Sequence, residues 1–250
     1  MHRNCFDEIK GRPPQMTTDQ NDPINWGALV PTGSREIVGV LLAGGRSSRF
    51  GGGDKCRQRL GGKTLLEHVA LNAAAQVGAL ILNVNGDADR FPGLGPDLGE
   101  NLGLAVVKDT IDGFCGPLAG VLAAMDYVAE HEPQARWVAS FATDAPFVPV
   151  NWVRLVHAAI IQEGAQLGCV ASHNRVHPVC GLWPVDLRFQ LRTAIEDEAI
   201  RKVRAWTARY KMATVTFESD PVDPFFNINT PDDLAAAEIL LAQRQARSSI

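Results

Sequence analysis

The sequence predicts an α/β fold with three layers, in which helices cover both faces of a mostly parallel β-sheet. Short apolar runs such as residues 37–42 and 137–141 are nearly continuous, which is typical of strands buried on both faces of a parallel sheet. Segments with the apolar spacing of amphipathic helices alternate with these runs along the chain. No internal repeat is evident in the 250 residues, and this length suits one α/β domain.

Composition and charge exclude several classes of protein. Apolar residues make up 46% of the chain and charged residues 21%, which is the balance of a globular protein. A formal net charge of −4 argues against broad binding to nucleic acid. No apolar stretch is long enough to cross a membrane, and the first ten residues lack the apolar core of a signal peptide. We therefore expect a cytoplasmic protein without nucleic-acid or membrane partners.

The five cysteines predict neither a disulfide framework nor a zinc site. Their number is odd and none of them forms a C-x-x-C pair, which favours a reducing compartment. Cys56 lies in a basic, glycine-rich stretch, where a small side chain beside the loop is a better interpretation than a nucleophile.

Residues 1–35 predict an N-terminal extension outside the folded domain. This segment is polar, contains four prolines and shows little periodicity, so we expect it to be disordered or loosely packed. Residues 36–246 then form a single domain.

A glycine-rich basic loop between a strand and a helix is the feature around which the chain is organised. The loop follows the strand predicted at residues 37–42. Thr64 and Glu67 have the spacing of a capping box, and apolar residues at helical spacing follow them. Strand, glycine-rich loop and helix, in this order, form an arrangement that binds nucleotide phosphates.

The composition of this loop supports phosphate binding. Five glycines lie between Gly44 and Gly53, and glycine lets a backbone turn tightly and present N–H groups to an anion. Arg49 and Lys55 add a planar donor group and a mobile positive charge. The alternative is a plain turn with solvated basic residues, which the position between strand and helix disfavours. The loop is not a P-loop, because Lys55 is followed by Cys56.

Polar residues stand at the carboxyl ends of three later strands. The strands span residues 79–84, 104–107 and 137–141, and the polar residues are Asn83, Asp109 and Asp144. Ligands of open α/β sheets bind beyond such ends. A carboxylate like Asp144 is a natural Mg²⁺ ligand there, and it lies several residues too early to cap the helix that starts near Val150. From the residues alone, an ordinary turn is the better interpretation of Asn83, and Asp109 fits an ordinary loop.

The segment G-P-L-A-G, which begins at Gly116, predicts the start of a helix that ends near Glu130. Pro117 fits the first helical position. Such a turn brings backbone N–H groups and the positive end of the helix towards a ligand. As an isolated residue, Gly116 would be an ordinary loop residue.

The second half of the chain continues the alternation of helices and strands. We predict helices over residues 151–163, 186–195 and 198–210, strands over residues 166–172 and 213–218, and a turn leading into a strand over residues 173–184. Residues 224–234 predict a strand, a turn and a capped helix that runs to about residue 245. In that helix Thr230 is the N-cap, Pro231 the first residue and Asp233 the third.

The run L-A-G-G-R-S-S-R-F-G-G-G-D-K, from Leu42 to Lys55, resembles the signature of the nucleotidyltransferase superfamily. More narrowly, it is similar to the molybdenum cofactor guanylyltransferase family, and the similarity extends over about residues 37–242. This resemblance implies a Rossmann-like nucleotidyltransferase fold. It also implies transfer of GMP from GTP to the terminal phosphate of molybdenum-molybdopterin, with Mg²⁺ as cofactor and release of pyrophosphate. The chain departs from the family pattern at Arg57 and Arg59, where apolar residues are usual.

The resemblance also implies roles for individual residues. Backbone contacts to the nucleotide are implied for Leu42, Ala43, Gly44 and Gly45, a further nucleotide contact for Asn83, and selection of the base for Asp109 and Gly116. Lys55 would neutralise the phosphates and Arg49 would hold the leaving group. Asp144 would bind Mg²⁺, with Asn229 as second ligand. Contacts to the second substrate are implied for Asn174, Arg175 and His177. The basic residues between 201 and 211 are a solvated face, with contact to an anionic pterin as the alternative.

The chemistry of the implied reaction agrees with this set of residues. A phosphate monoester is already anionic at neutral pH, because its second pKa is ~6, so it needs no general base. It needs two anions brought together and the leaving pyrophosphate stabilised. Alternatives remain open: a cytidylyltransferase acting on the same cofactor, a nucleotidyltransferase for sugar phosphates, and a non-catalytic nucleotide- or cofactor-binding module. Transient contacts with molybdenum-insertion or acceptor proteins are a further expectation.

Overall fold

A seven-stranded sheet lies at the centre of the computed structural model, which describes residues 33–43, 55–85, 104–111, 116–219 and 223–248. Most of the expected extension, the loop at 44–54 and the segment 86–103 fall outside these ranges. The sheet strands are β1 (Ser34–Leu42), β4 (Val77–Val84), β5 (Ala105–Lys108), β6 (Trp137–Ala142), β7 (Leu167–Ser172), β8 (Arg175–Pro184) and β9 (Met212–Thr216). Two further short strands, β2 (Arg59–Leu60) and β3 (Lys63–Thr64), form a separate hairpin. The helices are α1 (Leu65–Ala74), α2 (Pro117–His131), α3 (Trp152–Glu163), α4 (Arg188–Glu196), α5 (Val203–Thr207) and α6 (Pro231–Ser248).

The order of the strands confirms the predicted, mostly parallel sheet. The order is β5-β4-β1-β6-β8-β7-β9, and every pairing is parallel except the two made by β8. Strand β8 is reversed because a two-residue turn joins it to β7. His173 and Asn174 occupy this turn with φ angles of 46° and 58°, a left-handed conformation that suits a tight hairpin. The carboxyl ends of the other six strands therefore meet at one edge, together with the start of β8.

Helices cover the sheet on both sides, as the near-continuous apolar runs predict. Strand β1 shows the pattern: Ile37 and Leu41 face one apolar cluster, and Val38 and Val40 face the other. Helices α1 and α3 contribute to the first cluster, and α2, α4 and α5 contribute to the second. Among the helices within the described ranges, none has both the length and the apolar character needed to span a bilayer.

Both predicted helix caps are present. At the start of α1, the N–H of Glu67 donates to the Thr64 hydroxyl at 3.2 Å, and the Glu67 carboxylate accepts from the N–H of Thr64. At the start of α6, the N–H of Asp233 donates to the Thr230 hydroxyl at 3.1 Å, and Asp233 accepts the N–H of Thr230 at 2.9 Å. These bonds satisfy N–H groups that a helix start leaves without partners.

The helix predicted over residues 198–210 is wrong, because only Val203–Thr207 is helical there. Ala199 has a φ angle of 54° and Lys202 is extended, so neither can continue a helix. The guanidinium of Arg201 instead donates to the carbonyl of Ile195 at the end of α4, at 2.7 Å. The two buried apolar residues of this segment, Val203 and Trp206, both belong to this one short helix, and a periodicity argument does not show where such a helix begins and ends.

The strand predicted at the start of segment 224–234 is also wrong. Residues 226–229 have no strand pairing, and the N–H of Ile228 donates to the carbonyl of Asp144 at 2.9 Å instead. Phe225 and Ile228 are buried, so their apolar character reflects packing of a loop rather than membership of the sheet. This loop runs beside the end of β6 and carries Asn229 towards it.

A small third apolar cluster holds the C-terminal helix against the β2–β3 hairpin. Its buried members are Leu60, Leu65, Phe147, Ile228 and Ala237. The N–H of Gly61 donates to the Glu238 carboxylate of α6 at 2.9 Å. This packing joins the segment after Lys55 to the helix after Asn229.

Candidate functional site

A cavity of about 590 Å³ opens at the carboxyl edge of the sheet. It is lined by Leu42, Ala43, Lys55, Cys56, Asn83, Asn85, Asp109, Gly116, Pro117, Ala142, Thr143, Asp144, Val179 and Asn227. Most of these residues end or directly follow a strand, so the parallel order of the sheet creates the site.

Hydrogen bonds between neighbouring strand ends give the cavity a defined floor. The N–H of Ala43 donates to the carbonyl of Asn83 at 3.0 Å. The Thr143 hydroxyl donates to the carbonyl of Leu42 at 3.0 Å. The ends of β4, β1 and β6 are thereby held together. Both described neighbours of the glycine-rich loop, Ala43 and Lys55, line the cavity, whereas Gly44, Gly45 and Arg49 lie outside the described residues.

Lys55 joins two residues that are distant in the sequence. Its ammonium nitrogen donates to Asp144 Oδ2 and to Asn229 Oδ1, each at 2.5 Å. The side chains of Lys55 and Asp144 are 16% and 24% exposed, so the group is partly desolvated but open to a ligand. The backbone N–H of Asn229 donates to the Asp233 carboxylate at 2.8 Å, which fixes the position of residue 229. This hydrogen bond lowers the pKa of Asp233.

The oxygen atoms of Asp144 and Asn229 fit a divalent cation. Both are hard oxygen donors, and they converge on a single position that the Lys55 ammonium occupies. In the described residues no group of three or more His, Cys, Asp or Glu side chains could hold a metal ion. Two protein donors are few for a divalent cation, so its remaining ligands would come from a bound molecule or water.

Asn83 and Asp109 form the polar end of the cavity on the side of β4 and β5. The Asn83 amide donates to Asp109 Oδ1 at 2.9 Å and to the carbonyl of Val107 at 3.3 Å. Burial raises the pKa of Asp109 above its ordinary value, and the hydrogen bond from Asn83 acts in the opposite direction. Asn83 itself is only 3% exposed, so its side chain forms hydrogen bonds with protein groups rather than with bulk solvent.

Gly120 is a site residue that sequence reasoning missed. A Cβ atom at this position would lie 2.3 Å from Asn83 Oδ1 and 2.8 Å from Leu42 Cδ2. Helix α2 therefore packs against the Asn83 amide only because residue 120 has no side chain. The second glycine of the G-P-L-A-G motif was the available signal, but its contact lies 37 residues away in the chain.

The start of α2 presents backbone donors to the cavity. Gly116, at the N-cap, has a φ angle of 71° and no side chain to cap the helix, and Pro117 takes the first helical position as predicted. The positive end of a 15-residue helix therefore lies at the cavity wall, where it favours an anionic ligand.

The structure does not bring Asn174, Arg175 and His177 into the cavity. Asn174 is exposed in the hairpin turn, and Arg175 is exposed at the start of β8. His177 is half-buried, and its ring is stacked on Phe225 with the centroids 5.1 Å apart. All three lie at the sheet edge that carries the cavity, but on the β7–β8 side.

The cavity lining also includes three residues that the sequence did not predict, because no local sequence pattern distinguishes them: Thr143, Val179 and Asn227.

The chain matches known proteins over most of its length. A sequence model described as the MobA-like NTP transferase domain matches residues 39–213. A relative from Bradyrhizobium sp. (strain ORS 278), named molybdenum cofactor guanylyltransferase, is 50% identical over 206 residues, which cover 82% of this chain and 93% of the relative. A relative of the same name from Nitrobacter hamburgensis is 47% identical over 204 residues, with 82% and 94% covered.

Solved structures confirm the predicted fold. The crystal structure of molybdopterin-guanine dinucleotide biosynthesis protein A from Archaeoglobus fulgidus has a TM-score of 0.61 and 22% identity to this chain. The match covers 82% of this chain and 99% of that one. The shared architecture is the Rossmann-like nucleotidyltransferase fold expected from the resemblance at Leu42 to Lys55.

Proposed function

Because the chain belongs to the MobA-like NTP transferase family, we propose that it transfers GMP from GTP to the terminal phosphate of molybdenum-molybdopterin, releasing pyrophosphate. The observation that carries this proposal is the convergence of Lys55, Asp144 and Asn229 at one position in a cavity at the carboxyl edge. Transfer between two phosphates requires that their negative charge be neutralised. A lysine cation can do this directly, and a carboxylate and an amide oxygen can do it by holding a metal ion.

In this proposal the guanine base binds at the polar end formed by Asn83 and Asp109. The Asp109 carboxylate can accept hydrogen bonds from the N–H groups that guanine presents on one edge. Cytosine presents mainly acceptors there and would meet the carboxylate unfavourably. The backbone of Leu42 and Ala43, the start of α2 at Gly116 and the adjoining Gly44 and Gly45 would contact the ribose and the phosphates.

Charge neutralisation is the role of Lys55 in this proposal, and Arg49 would hold the leaving pyrophosphate. The ammonium of Lys55 would turn from Asp144 to the triphosphate, since both partners are anionic and the side chain is flexible. Asp144 and Asn229 would then hold Mg²⁺, which neutralises phosphate charge as the bond to the α-phosphorus changes. The accepting phosphate is its own nucleophile, so no side chain need act as a general base.

In this proposal Asn174, Arg175 and His177 lie beside the second substrate, and the basic residues between 201 and 211 form a solvated face. The proposal includes a single domain over residues 36–246, a cytoplasmic location and transient contacts with molybdenum-insertion or acceptor proteins.

Pyrophosphate release tests this function directly. The protein is incubated with Mg²⁺ and each of GTP, CTP, ATP and UTP, with and without molybdenum-loaded molybdopterin. Release with GTP that depends on the cofactor supports the proposal. Release with CTP instead would assign the protein to cytidylyl transfer. GTP binding without release under any condition would indicate a binding module, and release with a sugar 1-phosphate would identify a different acceptor.

A further inference from the structure

Ser172, His177 and Asp223 form a chain of hydrogen bonds beside the cavity. The Ser172 hydroxyl lies 2.7 Å from His177 Nε2 and donates to Asp223 Oδ1 at 2.6 Å. The same Asp223 oxygen accepts the N–H of Phe225 at 2.9 Å. Ser172 is fully buried, so its two polar contacts are those that the protein provides.

The chemistry of these groups determines the direction of each bond. A carboxylate only accepts, so the single proton of the Ser172 hydroxyl goes to Asp223. Ser172 must then accept from His177, which requires the proton on Nε2. In the neutral ring the other nitrogen, Nδ1, is left as a hydrogen-bond acceptor.

The surroundings of His177 favour the neutral form of the ring. Burial lowers the pKa of His177 below its ordinary value, and the guanidinium groups of Arg175 and Arg204 lower it further, while Asp223 acts in the opposite direction. Phe225 stacks against the ring with an angle of 28° between the planes, which limits its rotation.

The three residue types are those of a serine hydrolase, but the arrangement is not. In a hydrolase the histidine accepts the serine proton, and the serine is open to substrate. Here the proton of Ser172 is directed to Asp223, and the hydroxyl is buried. The chain therefore orients His177 and does not create a nucleophile.

The chain of bonds lies next to the cavity lining, on the side away from Asn83 and Asp109, although none of its three residues belongs to that lining. His177 precedes Val179 by two residues, Phe225 precedes Asn227 by two, and both Val179 and Asn227 line the cavity. In the sheet, β4 and β5 lie on one side of β1, and β8 and β7 lie on the other. A nucleotide base bound at the first side leaves the second side to the other substrate.

We propose that Ser172 and Asp223 are positioning residues that present Nδ1 of a neutral His177 as a hydrogen-bond acceptor to an N–H group of the second substrate. The inference rests on the proposed function, which makes that substrate a pterin. A pterin carries N–H groups on its rings, so an acceptor nitrogen suits it, whereas an anionic group would be bound by Arg175 or Arg204 instead.

Nitrogen-15 NMR of the imidazole groups tests the positioning role without any reaction. The spectrum of His177→Gln identifies the His177 signals among the six histidines. We expect the wild type to carry the proton on Nε2, and we expect Ser172→Ala to give a mixture of tautomers. The matched control is His173→Asn, in the adjacent turn, which should leave the His177 signals unchanged. A proton on Nδ1 in the wild type, or no change in Ser172→Ala, would overturn the proposal.

Steady-state kinetics test the contact with substrate. Ser172→Ala should raise the KM for the acceptor by about tenfold, since one hydrogen bond is misdirected, and leave the KM for GTP unchanged. Asp223→Asn retains an acceptor oxygen for Ser172 and should stay near wild type, whereas Asp223→Ala should match Ser172→Ala. If Ser172→Ala does not fold, Asp223→Ala supplies the same comparison. Equal changes in both KM values would contradict the proposal.

The two experiments together distinguish a failure of the proposed function from a failure of this inference. If no nucleotide is transferred while the NMR shows the Nε2 tautomer, the proposed function and the pterin contact fail but the hydrogen-bond chain stands. If transfer occurs and the NMR shows the Nδ1 tautomer, the function stands and the inference fails.

Discussion

The ammonium nitrogen of Lys55 lies 2.5 Å from Asp144 Oδ2, although the two residues are 89 positions apart in the sequence. Asn229 Oδ1 lies at the same distance from that nitrogen. An ion pair with access to solvent contributes at most about 1 kcal/mol to folding, so stability alone gives little reason for this arrangement. A position where a protein cation meets two oxygen donors is instead suited to exchange with a metal ion and a phosphate.

Asp144→Ala should abolish transfer while the protein stays folded. The substitution removes the carboxylate that accepts a hydrogen bond from Lys55 and leaves a small side chain at the cavity wall, where little packing is lost. Pyrophosphate release and circular dichroism measure the two effects. Asp186→Ala is the control, because Asp186 is exposed and follows the end of β8 at the opposite edge of the sheet. A rate near wild type in Asp144→Ala would refute the assignment of Asp144 as metal ligand.

Lys55→Met should lower kcat by about 100-fold or more, because charge on the phosphates would no longer be neutralised. The same substitution should raise the affinity for Mn²⁺ in the absence of nucleotide, since the oxygens of Asp144 and Asn229 lose the ammonium that occupies their shared position. Electron paramagnetic resonance of free Mn²⁺ measures this affinity. Lys63→Met, in the neighbouring hairpin, should change neither quantity. Unchanged Mn²⁺ binding in Lys55→Met would mean that the ammonium and the metal use different positions.

Gly120→Ala should weaken nucleotide binding. The added Cβ would lie 2.3 Å from Asn83 Oδ1, so the amide must move and its bond to Asp109 is strained. We expect the KM for GTP to rise about tenfold, with a loss of about 1–3 kcal/mol in the free energy of unfolding. Kinetics and denaturant unfolding measure these changes. Reduced stability with an unchanged KM would show that the packing of α2 does not act through Asn83.

Asp109→Asn should make the protein more stable at neutral pH. Burial raises the pKa of Asp109 in the folded state, so its ionised form is disfavoured by folding, and stability falls as the pH rises through this pKa. Asparagine carries no charge, and the gain in Tm should be larger at about pH 7 than at about pH 4. The substitution should also reduce the preference for GTP over CTP. An equal change of Tm at both pH values would show that burial of the charge has no cost.

Local sequence patterns were sufficient for the two capped helix starts and for the approximate ends of the sheet strands. The capping boxes at Thr64 and Thr230 depend on residues three positions apart, so the spacing alone predicts them. The nearly continuous apolar run at residues 37–42 indicated a strand that is buried on both faces. Such burial occurs in a parallel sheet that helices cover on both sides. Local pattern failed over residues 198–210, where only Val203–Thr207 is helical, and over residues 224–229, where Phe225 and Ile228 are buried in a loop.

By itself, the sequence determined the α/β class, because strand and helix patterns are local features, and the resemblance at Leu42 to Lys55 indicated the nucleotidyltransferase family to which the chain belongs. Only the tertiary structure decided which side chains meet. Lys55 reaches Asn229, Gly120 makes room for Asn83, and Ser172 joins His177 to Asp223 across separations that no local spacing encodes. The physical reason is that the order of the strands and the packing of α2 and α6 bring distant segments to one edge of the sheet. Hydrogen bonds and steric contacts between those segments then set the chemistry of the site.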